Sequence, residues 1–192
     1  MSNTTRNKNS ILFDLIALTK PRVNFLIIFT AIVGMLLAQD YNLDYNLMFY
    51  ASIGIYLAAS AAAVINHIVD QKIDAIMDRT KSRPLIRGNV TTNHAVYFSV
   101  FISLASTYIL FFYVNTITTI LTLFSIIVYS IIYSVYLKNL TSQNIVIGGI
   151  AGAMPPLLGW TAITNGVSEL PLLLFLIIFL WTPPHFWAKT VY

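Results

Sequence analysis

The sequence predicts an all-α integral membrane protein with about six transmembrane helices. Three observations carry this. The 192 residues are 57% hydrophobic and only 9% charged, with a mean hydropathy of +0.76, whereas a soluble domain carries about 25% charged residues. The apolar residues gather into six runs, and six spans of roughly 20 residues use about 120 positions, which the chain accommodates with short connections. Finally, the basic residues fall on one side of the membrane once those runs are taken as spans. A single soluble core, Pro-rich disorder, collagen and coiled coil are excluded. With no cysteine in the chain, disulfides, thiolate metal sites and a cysteine nucleophile are excluded too.

The elements follow in order. Residues 1–22 open with Ser2, Asn3, Arg6 and Lys8 and lack the apolar core of a cleavable signal peptide, so they read as a cytoplasmic N-terminal segment. The spans are expected at about 23–38, 47–65, 94–114, 117–137, 144–163 and 170–187. The first is preceded by Lys20-Pro21-Arg22. With the N-terminus inside, the inner segments are 1–22, 66–92, 138–143 and 188–192. They hold Arg6, Lys8, Lys20, Arg22, Lys72, Arg79, Lys81, Arg83, Arg87, Lys138 and Lys189, which are all 11 basic residues. The outer segments hold only Asp40, Asp44 and Glu169. The positive-inside rule therefore places both ends in the cytoplasm. The chain reads as one membrane domain, 1–192, without an internal repeat or a soluble domain.

Two proline pairs are expected to interrupt spans: Pro155-Pro156 in the fifth and Pro183-Pro184 near the cytoplasmic end of the sixth. Each proline removes a helical donor and clashes one turn back. Gly148 and Gly152, four apart, sit in the fifth span with Gly149 and Ala153 beside them. They read either as close helix packing or as bare backbone that a ligand approaches.

The most informative stretch runs from 66 to 87. Asn66, Asp70 and Asp74 are spaced four apart, and on an α-helix they drift only about 80° around the axis over about 12 Å. They form one oxygen-lined stripe. Ionised carboxylates one turn apart repel each other, unless a cation sits between them. Oxygen donors without a His or Cys ligand suit a hard ion such as Mg²⁺. Arg79, Lys81, Arg83 and Arg87 follow at once. Acid beside base is either a salt-bridge network or the two halves of a diphosphate site, with the carboxylates on Mg²⁺ and the basic side chains on phosphate oxygens. Lys72 lies on another face and reads as a headgroup or solvent contact.

A diphosphate held at a membrane boundary suits a substrate with a charged head and a lipid tail, and a prenyl diphosphate fits that description. Metal and cationic side chains would stabilise the leaving diphosphate, and aromatic faces can shelter the allylic cation. Tyr129, Tyr133 and Tyr136, at i, i+4 and i+7, are expected on one face of the fourth span. The same stripe also reads as packing or an interfacial belt.

The run from Asn66 through Asp70, Asp74, Met77, Arg79 and Thr80 to Arg83-Pro84 resembles the first signature of the UbiA-type intramembrane prenyltransferases. Within them, Asn144-Ile145-Val146-Ile147-Gly148-Gly149 with Met154-Pro155-Pro156, and Trp181-Thr182-Pro183-Pro184-His185-Phe186-Trp187, are similar to the haem-farnesylating branch, the protoheme IX farnesyltransferase (haem O synthase) family. Leu18-Thr19-Lys20-Pro21-Arg22 agrees, and the resemblance covers about residues 15 to 188. It implies a UbiA-type helical bundle, nine spans in the family, around a central cavity. It also implies transfer of a farnesyl group from farnesyl diphosphate to a vinyl carbon of haem B, giving haem O, in a bacterial inner membrane or its organelle equivalent. Carried over by position, Asn66, Asp70 and Asp74 would serve Mg²⁺ and the diphosphate. Arg79, Lys81, Arg83 and Lys138 would contact the diphosphate. His185 is a candidate for the haem iron or a propionate, or else a structural hydrogen-bonder. His67 reads as second to the metal or as a helix-end hydrogen-bonder. Haem A synthase and terminal oxidase assembly are the protein partners implied, with the lipid bilayer as solvent and no nucleic acid.

Against the family, the chain looks like the front two-thirds of the fold, lacking a second acidic loop and about three spans. The expectation is that it is weakly active or inactive alone. Asn139 and Leu140 stand where more basic character would be expected. The competing expectations are a UbiA-type enzyme acting on a quinone precursor or another acceptor, a transporter in which Asp70 and Asp74 select cations, and an inserted but inert remnant.

Overall fold

The computed structural model describes residues 8–38, 44–137 and 144–190, and among them there are helices and no strands. In chain order they are α1 (Lys8–Leu18), α2 (Pro21–Leu37), α3 (Tyr45–Val69), α4 (Gln71–Asp74), α5 (Thr92–Tyr113), α6 (Thr116–Ile127), which runs on as a π-helical segment (Val128–Leu137), then α7 (Asn144–Thr164) and α8 (Glu169–Thr190). Among the described residues five helices are long and apolar enough to cross a bilayer, and α1 with α2, bent by 48°, makes a sixth if the pair is one span. The six expected spans thus lie within a few residues of helices α2, α3, α5, α6 with its π-helical continuation, α7 and α8.

The helix starts are written locally. Asp44 accepts from the Leu47 amide at 3.0 Å, Thr91 from the His94 amide at 3.3 Å, and Asn115 from the Thr118 amide at 2.8 Å. Each satisfies a donor that the first helical turn leaves orphaned. Pro21 stands at the first position of α2, after Lys20 in the left-handed region at φ 53. That residue makes the bend between α1 and α2. The helix α1, with Leu18 fully buried, lies within residues 1–22, read from sequence as a cytoplasmic N-terminal segment.

Two apolar clusters hold the bundle. One joins α2, α3, α5 and α7 through Met35, Ala51, Ile55, Leu110, Leu157 and Leu158. The other ties Leu18, Ala61, Val64, Ala95 and Ile102 to Leu85 and Val90 of the 75–91 loop. The loop is thereby anchored to the bundle at a fixed place. The outward faces of α5 and α8 remain apolar, with Phe101, Leu104, Phe112, Ile177 and Leu180 all exposed, as helices surrounded by acyl chains require.

The proline pairs do not break their spans. Helix α7 runs through Pro155-Pro156 and α8 through Pro183-Pro184. A membrane helix tolerates the lost donors where neighbours and hydroxyls stand close to the freed backbone. Pro156 sits where α2 crosses α7 at backbone contact. A β-carbon on Gly34 would meet the Pro156 carbonyl, and one on Gly159 would meet the Ala31 carbonyl. Beside Pro183, Thr182 donates to the Ile178 carbonyl at 2.7 Å.

Candidate functional site

The helical ladder continues past the end of α3. The Asp70 amide bonds the Asn66 carbonyl at 3.0 Å, and the Asp74 amide bonds the Asp70 carbonyl at 2.8 Å. The predicted stripe therefore exists as one column across the junction of α3 and α4. Asn66 is 6% exposed, and Asp70 and Asp74 are each 5% exposed. Ordinary solvated helix-end carboxylates are not buried to that degree.

Two cations from other parts of the chain neutralise the column. Arg83 pairs with the Asp74 carboxylate. The Lys20 ammonium donates to Asn66 Oδ1 at 3.0 Å, while the Asn66 amide donates to Asp70 Oδ2 at 3.1 Å and to Ser134 Oγ at 3.2 Å. Each arrives by a local device. The left-handed Lys20, at the bend before Pro21, places its side chain over α3. Buried Thr80 donates to the Asp74 carbonyl at 2.9 Å and folds the loop back, so that Arg83 reaches the carboxylate. On the π-helical segment, Ser134 donates to the Tyr129 carbonyl five residues back at 2.8 Å, and so carries that segment to Asn66. His67 is also buried here, and its Nδ1 has no hydrogen-bond partner among the described residues. The Nδ1 atom does not supply the helix-end bond read as one option from sequence.

The other predicted contacts divide. Arg79 is exposed. The Lys81 ammonium bonds exposed Asp78 at 2.7 Å, so the structure does not bring it to the column. Lys138, Asn139 and Leu140 lie outside the described residues. His185 is exposed and stacks on Trp181 with ring centroids 4.0 Å apart. It lines neither of the two cavities described next.

The first cavity, of about 310 Å³, opens beside the column. It is walled by Lys20 and Asn24, the small residues Ala58, Ala59, Ala62 and Ala63 of α3, Tyr129, and Gly152 with Met154 and Leu158 of α7. A second, of about 200 Å³, shares Tyr129, Gly148 and Gly152 and adds Tyr133, Thr182 and Phe186. Both readings of the glycine pair have a place. A β-carbon on Gly148 would strike the Tyr133 ring at 2.7 Å, whereas Gly152 faces open space. Tyr129 and Tyr133 stack with centroids 5.6 Å apart, but Tyr136 is exposed. The expected three-tyrosine face is lost because the backbone there is π-helical and each turn takes an extra residue.

The donor set of the column is oxygen: two carboxylates and an amide. Among the described residues no three His, Asp or Glu side chains converge to hold a metal by themselves. The oxygen donor set suits Mg²⁺, which usually takes one or two carboxylates and completes its shell with waters and substrate phosphates. The residues present fit that ion.

The sequence pattern of the UbiA prenyltransferase family matches residues 27–192. The chain is 52% identical over 179 residues to the Hahella chejuensis protein named protoheme IX farnesyltransferase, covering 93% of this chain and 60% of that one. The fold matches a digeranylgeranylglyceryl phosphate synthase structure at TM-score 0.77 and 21% identity, over 88% of this chain and 59% of that one. It also matches a UbiA homologue from Archaeoglobus fulgidus bound to GPP and Mg²⁺, at TM-score 0.68 and 17% identity, over 90% of this chain and 62% of that one. The chain spans about 60% of the length of the curated relatives it matches.

Proposed function

This chain belongs to the UbiA prenyltransferase family, and on that premise we propose that it binds farnesyl diphosphate and transfers the farnesyl group to a vinyl carbon of haem B, yielding haem O. The observation that carries the reading is the buried column of Asn66, Asp70 and Asp74 with Lys20 and Arg83 upon it, beside an apolar cavity that Lys20 also lines. The name borne by its relatives at about half identity supports the choice of donor and acceptor.

In this reading the substrate's head and tail separate by chemistry. The diphosphate meets Lys20 and Arg83, each of which exchanges an intramolecular oxygen for a phosphate oxygen. Asp70 and Asp74 would hold Mg²⁺, which when bound supplies positive charge to the leaving diphosphate. Arg79 on the exposed loop and, by its position in the sequence alone, Lys138 are further candidates for the diphosphate. The tail enters the cavity, where the alanine and glycine walls exclude water. The allylic C–O bond then breaks, and its electron pair leaves with the diphosphate. Tyr129 and Tyr133 present aromatic faces to the carbocation. The outer vinyl carbon of the acceptor bonds to it with the vinyl π electrons, which leaves the positive charge on the inner vinyl carbon; water adds there and loses a proton to the departing diphosphate, giving the hydroxyl of the product. The second cavity shares Gly152 with the first and reaches Thr182 and Phe186 of α8; His185, stacked on Trp181 of the same helix, is our candidate contact for the acceptor. The protein would sit in a bacterial inner membrane with the column on the cytoplasmic side.

The test uses membranes carrying the chain, labelled farnesyl diphosphate, Mg²⁺, and either haem B or 4-hydroxybenzoate. Label in a hydroxyethylfarnesyl haem supports the proposal, and label in the phenolic acid overturns the choice of acceptor. A farnesyl thiolodiphosphate that fails to bind the purified chain in the presence of Mg²⁺ overturns the donor site.

A further inference from the structure

The apolar cavity has a measurable depth, and its floor is solid. On α3, Asn66, Ala62, Ala59 and Ile55 fall within a narrow arc, about 60° wide at about 100° per residue. Read downward from the polar column, that arc is amide, methyl, methyl, then a branched four-carbon side chain. The cavity follows it, with Ala62, Ala59 and Ile55 all in its wall. From Asn66 to Ile55 the helix descends about 16 Å at about 1.5 Å per residue.

Below Ile55 there is no room. Ile55, Met154 and Leu158 are each at most 4% exposed and belong to the cluster that continues through Met35 and Ala51. That cluster lies where α2 and α7 cross at backbone contact, with Gly34 and Gly159 too close to the opposite carbonyls to accept a β-carbon. The floor therefore cannot drop by a small shift of side chains.

An extended prenyl unit spans four carbon–carbon bonds, about 5 Å at about 1.5 Å per bond allowing for the zigzag. Two units reach about 10 Å, three about 15 Å and four about 20 Å. Only three match the depth beneath a head held at Asn66. We propose that Ile55, Met154 and Leu158 are the stop of a ruler selecting a 15-carbon tail. The alanines at 59 and 62 keep the shaft open. This rests on the reading of the column as a prenyl diphosphate site.

The experiment measures binding of geranyl, farnesyl and geranylgeranyl thiolodiphosphates, with Mg²⁺, to the purified chain in nanodiscs by titration calorimetry. Wild type should favour the 15-carbon tail over both others by about tenfold, the scale on which apolar pockets discriminate. Ala59→Leu puts a side chain about 10 Å below Asn66 and should invert the preference toward the 10-carbon tail. Ile55→Ala should raise relative binding of the 20-carbon tail about tenfold, and Leu158→Ala serves if the first floor variant fails to fold. Equal binding of all three lengths, or a ranking unmoved by these variants, overturns the ruler and leaves the prenyl diphosphate site standing. Absence of binding by all three overturns both.

Discussion

Replacing Arg83 by glutamine separates the role that the structure gives this side chain, pairing with Asp74, from the phosphate contact proposed for it. The side chains of Arg83 and Asp74 are 24% and 7% exposed. Two unit charges about 4 Å apart at an effective dielectric of about 20 attract by about 4 kcal/mol. Partial solvation of the guanidinium removes roughly half of that, so the resting protein should lose about 2 kcal/mol. The loss falls on Asp74, left buried without its cation. A divalent ion can replace that cation. Millimolar Mg²⁺ without substrate should therefore raise the thermal transition of the variant more than that of wild type, because ion binding adds stability by mass action. Affinity for farnesyl thiolodiphosphate with Mg²⁺ should meanwhile fall about tenfold, since one charged phosphate contact is gone. The assays are thermal unfolding in detergent with and without Mg²⁺, and calorimetric titration with the thiolodiphosphate. A variant as stable as wild type, indifferent to Mg²⁺ and undiminished in diphosphate binding would refute the reasoning at each step.

Lys20→Gly relaxes a left-handed residue, worth about 1–2 kcal/mol, but removes the bond to Asn66; thermal stability should hold while thiolodiphosphate affinity drops about tenfold. Gly159→Val drives a side chain into the Ala31 carbonyl and should cost about 3 kcal/mol or more, read as loss of folded protein by size exclusion. Gly152→Ala, facing open space, should be tolerated and gain up to about 1 kcal/mol of helix propensity. Asn115→Ala deletes the α6 cap and the bonds to the Thr161 and Ala162 carbonyls at 2.8 and 3.1 Å, and should cost about 2 kcal/mol in thermal unfolding.

The spans were legible because a bilayer demands long apolar runs, and hydropathy reports little else. The column was legible because a spacing of four is nearly one helical turn, and the ladder through Asp70 preserves it. Lys20 was visible only as a basic flank. Its reach to Asn66 depends on a left-handed backbone and a 48° bend, and neither has a glycine to announce it. Ser134 was invisible for a similar reason. Its bond to the Tyr129 carbonyl is a five-residue step, which α-helical spacing does not anticipate, and the same step dissolves the three-tyrosine face. The proline pairs misled in the opposite direction. Local rules count the donors lost, but continuity is decided by whether neighbouring helices still hold the backbone, as α2 does at Pro156. Lys81 was drawn to the site by proximity in sequence, yet nearby Asp78 captures it.

The resting column has a charge arrangement that bears on how it can accept a substrate. Two buried carboxylates with nothing to balance them would leave the desolvation cost of their burial uncompensated. Lys20 and Arg83 balance them, and neither belongs to α3. One comes from the bend before α2 and the other from a loop pinned by Leu85 and Val90. Because the cations are on separate elements, each can turn from a protein oxygen to a phosphate oxygen while the column stays in place. On the proposed reading, a divalent ion arriving with the diphosphate would supply the positive charge that the carboxylates lose in that exchange. No buried charge is left alone before or after, which avoids the penalty of several kcal/mol that breaking a buried pair one-sidedly incurs. An amide at position 66 suits the same exchange. It accepts from Lys20 and donates to Asp70 at once, as a third carboxylate could not, and it adds no further negative charge for the two cations to offset.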